Sequence, residues 1–143
     1  MAGYSGTPLL GKLGIKEGNR VLLRHAPAAL PEALKKYEKG RLQDRLDVIV
    51  LFARSLAEFE REFAARQGSI KGSIKADGMI WVAWPKKASG IETDLTESAI
   101  RDTALKTVFV DVKVCAIDET WSGLKFVVRR EHRNSFGQEL NRN

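Results

Sequence analysis

The sequence predicts an α/β domain, a three-layer Rossmann-like sandwich whose mostly parallel sheet ends in an antiparallel hairpin. Three observations predict it. Short apolar runs at 20–24, 46–52, 78–84 and 107–117 alternate with segments of helical periodicity, as in strands joined by crossover helices. The run Gly78-Met79-Ile80-Trp81-Val82-Ala83-Trp84 is apolar at successive rather than alternate positions, which suits a strand covered on both faces. The connection Asp118-Glu119-Thr120 is too short for a parallel crossover, so the strands it joins must pair antiparallel.

In chain order, Thr7 before Pro8 offers a helix cap and a first helical residue, with Leu9, Leu10 and Leu13 as the packing face and Gly14 as the stop. After the Glu17-Gly18-Asn19 turn, Arg20–Arg24 is a short strand that delivers His25-Ala26-Pro27 to a loop. Pro31–Tyr37 reads as a brief helix with Gly40 beyond it, and Tyr37–Arg45 shows no strand pattern. Leu46–Phe52 is the next strand. Ser55-Leu56-Ala57-Glu58 is a capping box, because the Ser55 hydroxyl can accept from the Glu58 amide while the Glu58 carboxylate reaches back. Its helix carries Leu56, Phe59 and Phe63 on one face, pairs Glu62 with Arg66 across a turn, and meets Gly68. The echo Ser69-Ile70-Lys71-Gly72 and Ser73-Ile74-Lys75-Ala76 puts isoleucines four apart, as in a continued amphipathic helix. Asp94-Leu95-Thr96-Glu97 is a second box-like cap for a helix reaching Thr103–Lys106. Thr107–Ile117 and Trp121–Arg130 form the closing hairpin. Residues 1–133 thus make one domain, with a polar, frayed tail over 134–143.

Composition limits the function classes. A chain of 143 residues, 43% hydrophobic and 29% charged, buries a full core without staples. Its lone cysteine, Cys115, forms no internal disulfide and points to a reducing compartment. No charged leader with an apolar core opens the chain, and no run approaches the roughly 18 apolar residues of a membrane span, so a cytoplasmic location is expected. The net charge of +6 is uneven. Residues 1–45 hold nine Lys/Arg against four Asp/Glu, 46–95 hold seven of each, and 96–143 hold eight against seven. Such a balance admits acidic ligands or nucleic acid, but no aromatic-interleaved basic stripe supports the latter.

Three blocks carry a family resemblance: Gly3-Tyr4-Ser5-Gly6-Thr7-Pro8-Leu9; Trp84-Pro85-Lys86-Lys87-Ala88-Ser89-Gly90 with Asp94-Leu95-Thr96-Glu97; and the stretch from Asp111 to Lys125. On these, across nearly its whole length, the chain resembles the small bacterial family catalogued as domain of unknown function 3052. The resemblance implies a methyltransferase-like Rossmann variant and no activity. Arg24-His25-Ala26-Pro27 departs from the Asn-Ala-Pro that the family carries at this loop.

The chemistry follows from topology. If the strands ending at Arg24, Phe52, Trp84 and Ile117 are parallel, one sheet edge collects Arg24, His25, Arg54, Ser55, Lys86, Lys87, Ser89, Asp118, Glu119 and Trp121. That edge would be cationic with one acidic corner. A small phosphate-bearing anion is its natural guest: Lys86 or Lys87 would be the point charge, Arg24 or Arg54 the bidentate donor, and the amides behind Ser55 would add to them. Solvated loop cations partly neutralised by Asp118 and Glu119 are the plainer alternative. The expectation is a non-catalytic binding or regulatory protein for such an anion or for a partner protein. A small enzyme using Lys86, Lys87, Asp118 and Glu119, with His25 as acid or base, stands beside it, as does a nucleic-acid accessory protein.

No cofactor is expected. Adenosylmethionine in this fold class needs glycines after the first strand and an acid near the end of the second; Arg24-His25-Ala26-Pro27 replaces the glycines, and Tyr37–Arg45 offers no convincing strand with an acidic end. Cys115 lies in an apolar strand and reads as a buried small hydrophobe, His25 and His132 show no triad partner, and no Cys/His cluster offers a zinc site. Alternation places Trp81 and Trp84 on opposite strand faces, while Trp84 and Trp121, near strand ends, could wall a pocket.

Overall fold

Leu46–Phe52 is buried at every position except Asp47, so it must be flanked on both edges and covered on both faces. The computed structural model, which describes residues 8–134, places it at the sheet centre. The elements are α1 (Leu9–Leu13), β1 (Val21–Arg24), β2 (Glu38–Lys39), β3 (Leu46–Phe52), α2 (Leu56–Phe59), α3 (Gln67–Ser73), β4 (Ile74–Pro85), α4 (Glu97–Ala104), β5 (Phe109–Ala116) and β6 (Trp121–Val128). Glu32–Leu34 and Lys87–Ser89 are 3-10 turns, and Glu60–Ala64 continues α2 as a π turn. The mixed sheet runs β2-β1-β3-β4-β6-β5. Its first four strands are parallel, and β6 is antiparallel to both β4 and β5. The hairpin folds back so that its second strand, not its first, joins the parallel set.

Apolar residues bury on both faces of this sheet. One face packs Leu22, Ile49, Leu51, Ile80, Val82, Trp84 and Phe126 against Phe59, Phe63, Ile70 and Ile100 of the helical segments. The other packs Leu23, Val48, Val50, Phe52, Trp81 and Trp121 against Leu13, Ile15 and Leu34. Trp81 ties α1 to the second face by donating from Nε1 to the Leu13 carbonyl at 2.9 Å. Trp81 and Trp84 lie on opposite faces, as alternation requires. Trp84 and Trp121 are therefore also separated by the sheet and do not wall a common pocket.

Several boundaries differ from the sequence reading. The helix ends at Ser73 and β4 begins at Ile74, because Ile74 pairs with Leu46 and is fully buried. Local isoleucine spacing loses to a tertiary pairing. The register then slips between Leu46 and Val48, and the chain passes so close to itself that a Cβ on Gly78 would lie 2.6 Å from Ile74 Cγ1 and 3.0 Å from the Asp47 carbonyl. A two-residue strand, β2, occupies the segment read as strandless, held by main-chain pairing to Leu22 and Leu23 rather than by an apolar pattern. The Pro31–Tyr37 helix reduces to the 3-10 turn. Pro8 stands at the cap position of α1, and Thr7 lies outside the described residues. Thr96, not Asp94, caps α4 by accepting from the Ala99 amide at 3.1 Å. The closing strands are shorter than read, and residues 130–134 are helical, so Asn134 belongs to that turn while 135–143 lie outside the described residues. Cys115 is half-buried rather than core, since β5 is an edge strand with Val112 and Val114 exposed.

Candidate functional site

Parallel pairing of β1, β3 and β4, with β5 running alongside them, brings the ends of these strands to one edge of the sheet. Strand order reverses between β1 and β3, since β1 is followed in sequence by β2 on one side and has β3 on the other. The crevice outside those two strand ends is where open α/β sheets place ligands. Arg24 and His25 enter it from β1, and Arg54 follows β3. His25 sits in the left-handed region at φ 56°, an uncommon conformation for a residue with a Cβ.

Glu62 organises this crevice. The π turn is closed by a hydrogen bond from the Ala65 amide to the Glu60 carbonyl, and its wide winding buries Glu62 and Phe63 together. The Glu62 Oε1 lies 3.0 Å from Arg24 Nη2, 3.0 Å from His25 Nε2 and 3.1 Å from Arg66 Nε, while Oε2 lies 3.5 Å from Arg61 Nε. Burial by itself would raise the Glu62 pKa. The hydrogen bond and charge of His25, then the charges of Arg66 and Arg24, outweigh it and hold the carboxyl below its ordinary value. Arg24 also donates from Nη1 to the Gly40 carbonyl at 2.6 Å, which clamps the loop after β2 to the end of β1.

The end of β1 does not carry the glycines of an adenosylmethionine site. A strained histidine and a paired arginine stand where glycines would admit the ligand. The second strand is Glu38–Lys39, with Glu38 an exposed acid and the Lys39 ammonium donating to the Lys35 and Tyr37 carbonyls.

Arg54 links the crevice to an open cleft of ≈ 640 Å³ lined by Arg54, Ser55, Lys87 and the 90–94 loop. Its guanidinium lies 5.5 Å from the Trp121 ring, donates from Nη2 to the His25 carbonyl at 3.2 Å, and has Nη1 3.7 Å from Glu58 Oε1. Trp121 is held in turn by an edge-to-face contact with Phe52, centroids 5.1 Å apart. Lys87 lines the same cleft, exposed and in no ion pair among the described residues, as do the carboxylates of Glu92 and Asp94.

The remaining sequence-predicted residues fare differently. The start of α2 is already satisfied: Ser55 Oγ accepts from the Glu58 amide at 3.1 Å, Glu58 Oε1 from the Arg54 amide at 2.7 Å, and Asp94 Oδ1 from the Leu56 amide at 2.8 Å. Asp94 thus occupies the place expected for a guest anion. Ser89 is spent on its own turn, donating to the Lys86 carbonyl and accepting from the Ile91 amide. Asp118 accepts from the Thr120 and Trp121 amides at 2.8 Å each, so it builds the hairpin turn. Glu119 is exposed on that turn, and the Lys86 amide donates to Thr120 O, joining the Lys86 loop to it. The site reduces to Arg54 and Lys87, which line one cleft, with Arg24, His25 and Glu62 in the crevice beside it. Glu62, Glu58 and Asp94 were not singled out from sequence as site residues. For Glu62 the local signal was its i, i+4 spacing from Arg66, which is common on solvated helices, while Glu58 and Asp94 showed only as members of capping boxes.

Among the described residues no group of three His, Cys, Asp or Glu side chains gathers to hold a metal ion, and no helix is long and apolar enough to cross a membrane. No protein-family model and no curated protein matches the chain. Among solved structures it is similar to LepI in complex with SAM, at 15% identity and a TM-score of 0.47, and to a LepI variant in complex with SAH and a substrate analogue, at 16% and 0.47. Each alignment covers 85% of this chain and 39% of the LepI chain.

Proposed function

We propose that this chain is a small cytoplasmic domain of three-layer, Rossmann-like build, akin to the bacterial family of domain of unknown function 3052, that binds a small phosphate-bearing anion without turning it over. The observation that carries the reading is Arg54. Its guanidinium is positioned by Trp121, the His25 carbonyl and Glu58, and Arg54 lines the same cleft as Lys87. A planar donor held in advance loses little freedom when an oxyanion arrives, and an ammonium in the same cleft adds a point charge.

A thermal-shift screen with inorganic phosphate, nucleotides and sugar phosphates tests this. A true ligand at a hundredfold excess over its Kd stabilises the fold by about 2.7 kcal/mol. The shift should shrink with salt and vanish in the Lys87→Ala and Arg54→Gln variants. Adenosylmethionine should give none. A stabiliser that acts equally on parent and both variants would remove the cleft from consideration, and the absence of any stabiliser would leave protein docking as the use of this edge.

One specific contact favours a second reading, a small enzyme. His25 Nε2 is 3.0 Å from the buried Glu62 carboxylate, so an imidazole at the crevice is oriented by an acid, with Nδ1 left to exchange a proton. Here His25 and Glu62 replace Asp118, whose carboxylate is committed to its turn. A metabolite mixture incubated with parent and His25→Gln, compared by mass spectrometry, tests it; transformation by the parent alone would replace the non-catalytic reading.

A further inference from the structure

We infer a second anion site on the face of the sheet covered by α1, formed by Lys12, Lys113 and Lys125 and suited to a phosphate monoester dianion. It is independent of the cleft. Lys113 of β5 and Lys125 of β6 are directly opposite in the antiparallel register, with Cβ atoms about 4.5–5.5 Å apart in such a pair, where like charges destabilise the sheet. Lys125 is half-buried, and its ammonium lies 3.6 Å from the position of a Cβ on Gly14, beside the end of α1. Lys12, in the last turn of α1, is half-buried as well, Lys113 is exposed, and both Lys12 and Lys113 act on the Cys115 thiol through their charge.

None of the three ammoniums forms an ion pair among the described residues. Lys125 lines a cavity of ≈ 390 Å³ together with Lys16, Asp47 and the exposed Asp77, none of them paired with it, and Asp47 is occupied by the Arg20 amide at 2.7 Å and Lys75 at 2.9 Å. Lysines are almost never fully buried unless paired, and partial burial carries a share of that cost. Burial and then the charge of Lys113 depress the Lys125 pKa, the response of a cation lacking a counter-charge. The carbonyl end of α1 offers a partial one, but α1 has only five residues. Lysines on neighbouring positions of one sheet face and the helix end above it, acting as point charges with no guanidinium fork, match a compact dianion better than a planar carboxylate.

The test follows the Lys125 ammonium by NMR of its ε-methylene through an alkaline titration, with inorganic phosphate, a sugar phosphate or ionic-strength-matched sodium chloride. Either phosphate should raise the apparent Lys125 pKa by about one unit, a tenfold preference for the charged form, and chloride by much less. Lys113→Ala should raise the starting pKa and abolish the phosphate response. Lys87→Ala should leave the response intact, which separates this site from the cleft. Equal responses to phosphate and chloride would mean screening alone and overturn the site. A stronger response to a single-stranded oligonucleotide than to the monoester would overturn the assignment to a monoester.

Discussion

Replacing Glu62 by glutamine perturbs the crevice with almost no change in shape, so the cost reads the charge alone. The carboxylate is 6% exposed and faces Arg24, 14% exposed, together with His25, Arg66 and Arg61, which reach water more freely. Breaking a fully buried ion pair costs about 3–5 kcal/mol, whereas solvent-reaching partners contribute below about 1 kcal/mol each. Glutamine retains an acceptor oxygen, so Arg24 keeps a neutral hydrogen bond and loses the charge opposite it. The expected loss is about 2 kcal/mol at pH 7, or about 6–8 °C in Tm for a domain of this size. Because the Glu62 pKa is lowered from 4.5, its contribution is present above that value and lost as pH falls through the folded pKa. Urea unfolding of parent and Glu62→Gln, followed by tryptophan fluorescence between pH 7 and pH 3, should show a gap that closes in acid. The other carboxylates titrate in both proteins and cancel in the difference. A gap that stays constant to pH 3, or none at pH 7, would refute a charge-based role for Glu62.

Gly78→Ala should destabilise by about 1–3 kcal/mol, because the new methyl meets Ile74 Cγ1 at 2.6 Å and the Asp47 carbonyl at 3.0 Å. Gly68→Ala in α3, with nothing within 4 Å, should be neutral or stabilise by up to about 1 kcal/mol, and equal effects of the two in urea unfolding would contradict the close approach. Cys115 should label slowly at neutral pH and faster as pH passes 9.0, since burial raises its thiol pKa while Lys12 and Lys113 offset only part of that. Rapid labelling at pH 7 with no pH dependence would show a thiolate already formed.

The sequence by itself determined the elements whose signal is local or whose burial is complete. Leu46–Phe52 was legible residue for residue, as was the Ser55 cap, because a strand buried on both faces and a hydroxyl accepting three residues on both leave a short-range mark. The hairpin followed from loop length, and with the parallel strands it brought Arg24, Arg54, Lys87 and Trp121 to one edge. Tertiary structure alone decided what those residues do there. Asp94 reaches 38 positions back to satisfy the Leu56 amide, and Glu62 gathers Arg24 and His25 from the far side of the switch point. Ile74 left a helical pattern for a strand because Leu46 offered it a buried partner, and β2 exists only through its pairing with β1. The physical reason is common to all of these. Whether a charge is neutralised or an amide satisfied depends on groups distant in sequence, whereas periodicity and capping report only the few residues within a turn or a strand.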